Sequence, residues 1–179
     1  ASAFAQVYNQ VGDCCPDLDD SALFVKFFAA MQELVSDEKL LSYHDRSDGG
    51  LFVTVAEMAF GGRRGVQLAL DGLGRSPLEI LFNEELGGVL QVATSQKDAV
   101  IGILATHGLA AVSHAIGSVT DDRQLSVTWQ STEIFKDSVS NLNRLWSELT
   151  FRMQALRDNP TCAQEEFDNL LDEADPGMQ

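Results

Sequence analysis

Tyr43-His44-Asp45-Arg46-Ser47-Asp48-Gly49-Gly50-Leu51 sets two carboxylates beside a hydroxyl and runs through a Gly-Gly turn into an apolar segment, Leu51 to Phe60, whose pattern predicts a helix. Glycines let a backbone approach a ligand with no Cβ in the way. The first turn of such a helix offers free N–H groups and a positive dipole end to an anion. Asp45 or Asp48 could hold Mg²⁺, a hard cation that takes carboxylate oxygens and keeps its other positions for water and phosphate, with Ser47 a neutral donor to that phosphate. The same spacing also describes an ordinary turn and helix cap, in which the Asp48 carboxylate accepts from first-turn amides. On spacing alone both readings stand.

Outward from that loop the chain reads as helices interleaved with short strands. Upstream, Asp20 or Ser21 caps a helix carrying Leu23, Phe24, Phe27, Phe28, Met31, Leu34 and Val35 at helical spacing, a face expected to be core. Downstream, the signature helix stops at Gly61-Gly62. Gly65 to Leu70 alternates and ends at Asp71-Gly72, and Gly88 to Ala93 is a second strand. Gln96 to His107 reads as a helix with Ala99, Val100, Ile103 and Leu104 inward and Gly108 past its end. Leu109 to Val119 and Gln124 to Trp129 predict two more strands, joined across Thr120-Asp121-Asp122-Arg123. A long helix from about Ser138 to Arg157 carries Val139, Leu142, Leu145, Trp146, Leu149, Met153 and Leu156 in one apolar stripe, and Asn159-Pro160 ends it.

Such a pattern predicts an α+β layered domain with a long C-terminal helix over residues 1–158. Residues 159–179 are acidic, with Glu165, Glu166, Asp168, Asp172, Glu173 and Asp175, yet Phe167, Leu170, Leu171 and Ala174 lie three or four apart. They read as a short amphipathic helix, a linker toward a further domain, or a solvated tail. No internal repeat is visible.

With 179 residues and 45% hydrophobic content, the chain has room for one domain with a real core. A formal charge of −15 and a pI near 4.3 argue against a broad basic face for nucleic acid or an anionic membrane, so a phosphate would have to be held locally. Neither a bilayer-spanning apolar run nor a secretory leader is recognisable, and a soluble, cytoplasmic protein is expected. Cys14 and Cys15 are adjacent, Cys162 is distant, and no Cys/His metal spacing appears. The three are expected to be reduced bystanders, since neighbouring cysteines are badly placed for an unstrained disulfide.

The string from His44 to Thr54, followed by Ala56-Glu57-Met58-Ala59-Phe60 and later by Leu81-Phe82-Asn83-Glu84-Glu85-Leu86-Gly87-Gly88-Val89-Leu90-Gln91-Val92, closely resembles the phosphoribosylformylglycinamidine synthase family. More narrowly, it is similar to the second C-terminal-type domain in the synthetase part of the large, single-chain form. Ser2 to Tyr8 and Pro16-Asp17-Leu18-Asp19 fit the same place, so the resemblance runs from about the first residue to beyond Trp146. The shorter Asp-x-Ser-Asp-Gly-Gly-Leu signature is shared by a wider superfamily that includes aminoimidazole ribonucleotide (AIR) synthetase, selenophosphate synthetase, thiamine monophosphate kinase and a hydrogenase-maturation protein. The flanking words make the narrower assignment.

The resemblance implies a mainly antiparallel sheet packed by helices, the AIR-synthase C-terminal-domain type. It implies a ligase of purine biosynthesis that uses ATP and glutamine to turn formylglycinamide ribonucleotide into formylglycinamidine ribonucleotide. It also implies a nucleotide–Mg²⁺ site, binding ATP or ADP, in which Asp45 meets the metal and Ser47 lies beside the nucleotide phosphates. Partners would be the sister synthetase domains and the glutaminase domain of the same parent chain, with residues 159–179 leading toward the latter. No cysteine here sits in a recognisable glutaminase nucleophile elbow, and no catalytic residue can be assigned. A segment inactive by itself is therefore expected. The implied synthetase is internally duplicated, with one catalytic and one structural nucleotide pocket, and Asp45 is expected to face the structural one.

Other polar residues are open to plainer readings. His44 suits phosphate contact or a packing role, Arg46 suits phosphate or solvent, and Asp48 is assigned to holding the turn. Asn83, Glu84 and Glu85 could serve a metal or an acid–base step, or form a solvated cap before Gly87-Gly88. Adjacent residues on a helix face apart, which makes them a poor dyad. His107 and His114 read as helix-end and strand residues. Two other functions remain open: an interdomain packing module that keeps the signature only as a turn, and a domain of another ATP-using superfamily member.

Overall fold

A computed structural model describes residues 2–12, 16–172 and 174; Cys14, Cys15, Glu173 and Asp175 lie outside the described residues. In chain order the elements are α1 (Ala3–Val7), α2 (Ser21–Ser36), β1 (Ser42–Asp45), α3 (Gly50–Gly62), β2 (Gly65–Ala69), α4 (Pro77–Phe82), β3 (Gly88–Gln91), α5 (Lys97–Thr106), β4 (Gly117–Thr120), β5 (Gln124–Trp129), β6 (Thr132–Ser138), α6 (Val139–Arg157) and α7 (Pro160–Asn169). Side-chain caps fix several starts. Asp20 accepts from Leu23 N–H at α2, Ser76 from Glu79 N–H at α4, and Ser138 from Asn141 N–H at α6. Asn159 caps α7 with Pro160 at the first helical position, where a missing N–H removes no bond. Two compact units are present, Ala1–Val55 with Gly72–Ala115, and Ala56–Asp71 with Ile116–Gln179.

The first unit holds α1, α2, the two-stranded antiparallel sheet β1–β3, α4 and α5. Its core joins Ala30, Met31 and Leu34 of α2 to Val100 and Leu104 of α5 and to Leu109, with Leu23, Phe27, Leu90 and Ile103 packed around them. Phe24, Phe28 and Val35 are exposed, correcting the expectation that the whole α2 stripe is core. A helix laid against a single neighbour buries a narrower arc than its apolar residues span. Gly108 ends α5 in the left-handed region, φ +75°, as its position predicts.

The second unit is built on a four-stranded sheet of order β4-β2-β5-β6, with β2–β4 and β5–β6 antiparallel and β2–β5 parallel. The mainly antiparallel α+β expectation therefore holds, but Thr120 to Arg123 do not join neighbouring strands. β2 lies between β4 and β5, giving Val66 two register partners, Val119 and Leu125. The predicted strand from Leu109 to Val119 shrinks to Gly117–Thr120, because Ala110–Val112 form a 3₁₀ turn and His114 lies in the loop that follows. β6 went unread in the sequence, since its Glu133, Lys136 and Asp137 hide the alternation of an edge strand.

Leu68, Leu70, Leu125 and Val127 form the buried sheet face of this unit. On α6 only Val139 is buried. Leu145, Trp146, Leu149, Met153 and Leu156 are exposed, correcting the expectation of a core stripe. α7 packs on α6 through Phe167, which stacks on Phe151 at 4.3 Å with an interplanar angle of 6°. Arg144 lies over the same ring at 4.1 Å and binds Asp168 at 2.9 Å.

Candidate functional site

The signature residues lie at the end of β1 and the head of α3, within the first unit. β1 pairs with β3 in the register Tyr43↔Leu90 and Asp45↔Gly88. The two sequence words singled out above, forty residues apart, are therefore one structure: the segment from Asn83 to Gly88 is the cradle of the loop from Asp45 to Gly50.

Several contacts fix that cradle. Arg46 N–H donates to Gly87 O at 2.8 Å, and the Arg46 guanidinium donates to Glu85 O at 2.6 Å and Leu86 O at 3.1 Å. Glu84 Oε1 accepts from Gly49 N–H and from Ala3 N–H, each at 2.8 Å. Thr54 Oγ1, buried, donates to Gly50 O at 3.0 Å. Gly49 and Gly50 take φ of +81° and +66°, a region that side chains with a Cβ enter at a cost. A Cβ on Gly50 would stand 2.7 Å from the carbonyl oxygens of Leu81 and Asn83, so this position is closed by backbone as well as by φ.

The cradle reassigns several residues. Arg46 gives two of its five guanidinium donors to the Glu85 and Leu86 carbonyls and so braces the loop, a role beside the phosphate and solvent readings. Burial pulls its pKa below the ordinary arginine value, opposed by the Glu85 carboxylate. Asp48 is exposed and makes no hydrogen bond among the described residues, so it does not hold the turn. Glu84 does, because its longer side chain reaches Gly49 N–H from the neighbouring segment. Glu84 is thus no solvated cap, and Asn83 accepts locally from Glu85 N–H at 2.6 Å. His44 places Nδ1 2.7 Å from Asp45 O, and since a carbonyl only accepts, that nitrogen carries the proton. His107 ends α5 as expected and meets Glu33 at 2.7 Å.

Asp45 and Ser47 are brought together. The Asp45 side chain is 72% exposed, and Ser47 Oγ donates to its Oδ2 at 3.3 Å. Both oxygens are hard donors on a backbone held from three sides, which suits Mg²⁺. Among the described residues no three His, Cys, Asp or Glu side chains group to cage an ion, so metal held by Asp45 would draw its remaining ligands from phosphate, water or another segment. Tyr43 lies two residues before Asp45 on the same face of β1, and both residues are exposed. Burial first, then the Asp45 carboxylate, raise its phenol above the ordinary range.

Sequence reasoning did not single out Thr54 or Tyr43, and it weighed Glu84 for a metal, an acid–base step or a cap but not for the loop contact it makes. No spacing rule links Glu84 to Gly49 across 35 residues, and only the β1–β3 register reveals it. An apolar helix headed by an Asp-x-Ser-Asp-Gly-Gly loop, on a scaffold of helices and mainly antiparallel strands, defines an α+β class of domains. The chain belongs to the AIR synthase related protein, C-terminal domain family, which matches residues 1–130.

Solved structures share the fold. T. maritima PurL complexed with FGAR superposes with a TM-score of 0.58 at 18% identity, covering 65% of this chain and 20% of that one. T. maritima PurL complexed with ATP gives 0.58 at 18% identity, with 65% and 21% covered. A HypE-HypF complex gives 0.54 at 15% identity, with 75% and 47% covered. The chain thus spans about a fifth of the PurL chains it matches. No helix among the described residues is long and apolar enough to cross a membrane.

Proposed function

We propose that this chain is a synthetase domain of purine biosynthesis whose Asp45 and Ser47 form one side of a Mg–nucleotide site. The observation that carries the reading is the exposed Asp45 carboxylate bonded to Ser47 on a loop immobilised by Glu84 and Arg46. A turn that served only to start a helix would need neither residue. Asp45 would hold the metal, Ser47 would donate to a phosphate oxygen, and the bound ion would neutralise phosphate charge that this acidic chain otherwise repels.

The parent enzyme we assign is phosphoribosylformylglycinamidine synthase in its large single-chain form, with this segment as its second C-terminal-type domain. It is the ATP- and glutamine-dependent ligase that converts formylglycinamide ribonucleotide to formylglycinamidine ribonucleotide. The words flanking the signature support that assignment. So do fold neighbours solved with FGAR, ATP, ADP and AMPPCP. Sister synthetase domains would complete the metal shell, residues 159–179 would lead toward a glutaminase domain, and the isolated segment would be inactive. A cytoplasmic location follows from that assignment.

A second reading, an interdomain packing module, is favoured by the exposed apolar residues of α6. One experiment separates the two. Full-length parent enzyme and its Asp45→Ala variant are purified and denatured, the released nucleotide is quantified, and Mg²⁺-dependent ADP binding is titrated. Loss of nucleotide with the fold intact supports the site. Equal nucleotide in both proteins refutes it, and lost stability with nucleotide retained favours packing.

A further inference from the structure

Resting on the nucleotide-site reading, we propose that Tyr43 is the surface on which the nucleoside part of the bound nucleotide lies, while Asp45 and Ser47 take its metal–phosphate end.

Along β1, Ser42 and His44 are half-buried while Tyr43 and Asp45 are exposed, Tyr43 at 45%. Tyr43 shares its face of the strand pair with its register partner Leu90, which packs on the α2–α5 core, so the ring stands at the rim of that core. Same-side neighbours on a strand stand about 7 Å apart, so this face presents an aromatic ring and then a carboxylate. A nucleotide presents its nucleoside and then its charged phosphates in the same order.

Tyr43 also leans toward the acid. Its Cε2 lies 3.0 Å, and its Oη 3.3 Å, from where a Cβ on Gly88 would stand, and Gly88 is the register partner of Asp45. Phe27 Cζ is 3.4 Å from the same point. Gly88 thus leaves room for the tyrosine to lean across the strand pair toward the position opposite Asp45. A half-exposed ring can stack on a purine, and its hydroxyl can bond a ribose hydroxyl.

The test compares Mg–ADP with Mg–pyrophosphate, which lacks the nucleoside, on the full-length parent enzyme. Tyr43→Ala is expected to weaken Mg–ADP about tenfold and leave Mg–pyrophosphate within about twofold. Tyr43→Phe should retain most of the ADP affinity, and Asp45→Ala should weaken both ligands. Tyr43→Leu, which keeps bulk but removes the ring, replaces Tyr43→Ala should the latter fail to fold. Unchanged ADP affinity in the Tyr43 variants overturns the proposal while leaving the nucleotide site standing. Equal losses for both ligands overturn it too, since the ring would then support the loop. Should the parent bind neither ligand, or Asp45→Ala bind both normally, the nucleotide-site reading itself falls and this proposal with it.

Discussion

Glu84 gathers two backbone N–H groups from distant parts of the chain onto one carboxylate oxygen. Glu84→Ala strands both donors, and each part-buried amide left without a partner costs about 1–3 kcal/mol. The expected loss is about 2–4 kcal/mol in urea unfolding followed by circular dichroism. Glu84→Gln retains an acceptor oxygen of the same reach and should recover more than half of that loss. Gly50 and Gly72 have similar positive φ, +66° and +80°, but differ in surroundings. A Cβ at Gly72 meets nothing within 4 Å, so Gly72→Ala should cost only the conformational 1–2 kcal/mol or so. Gly50→Ala adds collision with two carbonyls that cannot move alone, and is expected to exceed that by at least about 2 kcal/mol and to abolish Mg–ADP binding. Thermal melts of the two variants side by side, with an ADP titration, check this.

Among the elements, α6 and α2 show where periodicity misleads. Both carry wide apolar stripes in sequence, and the pattern correctly locates both helices. What it cannot give is the partner, because burial belongs to the pair of surfaces and not to the helix. Leu149 is 69% exposed whereas Leu125 is fully buried. Leu149→Ala should therefore change stability by less than about 0.5 kcal/mol, and Leu125→Ala should cost about 2–5 kcal/mol. Chemical denaturation of both variants decides whether the stripe is core.

α7 supplies a test by pH. Its Asp168 carboxyl is held below the ordinary aspartate range by a hydrogen bond from Gln164 and then by Arg144. A depressed carboxylate favours the docked state above its unfolded pKa of about 3.9, and that preference is lost as pH falls through the lower folded value. Hydrogen exchange should show residues 160–169 losing protection as the pH drops below about 4, ahead of β5. Arg144→Met should shrink that difference.

Across the whole molecule, the fold class and the family were legible because the loop word and its flanks are dense in glycine and acid at fixed spacing. Asp45 and Ser47 stood out there as candidates for the same reason. The sheet order could not, since nothing near Thr120 to Arg123 announces that β2, more than fifty residues earlier, will come between β4 and β5. Glu84 escaped for a related reason: its target is set by β1–β3 register, which no local rule encodes.

That sheet order has a consequence for how the protein is made. Everything the first unit needs has been translated by Ala115, before β4 has begun, whereas β2 waits for both of its neighbours. At about 5–20 residues per second, the ribosome leaves β2 unpaired for roughly 3–10 seconds. During that interval its two open edges are a template for any other extended chain. The hairpin of β5 and β6 closes within microseconds of emerging, so the synthesis of β2's neighbours, and not the closing of that hairpin, sets the pace at which the second unit becomes safe from aggregation.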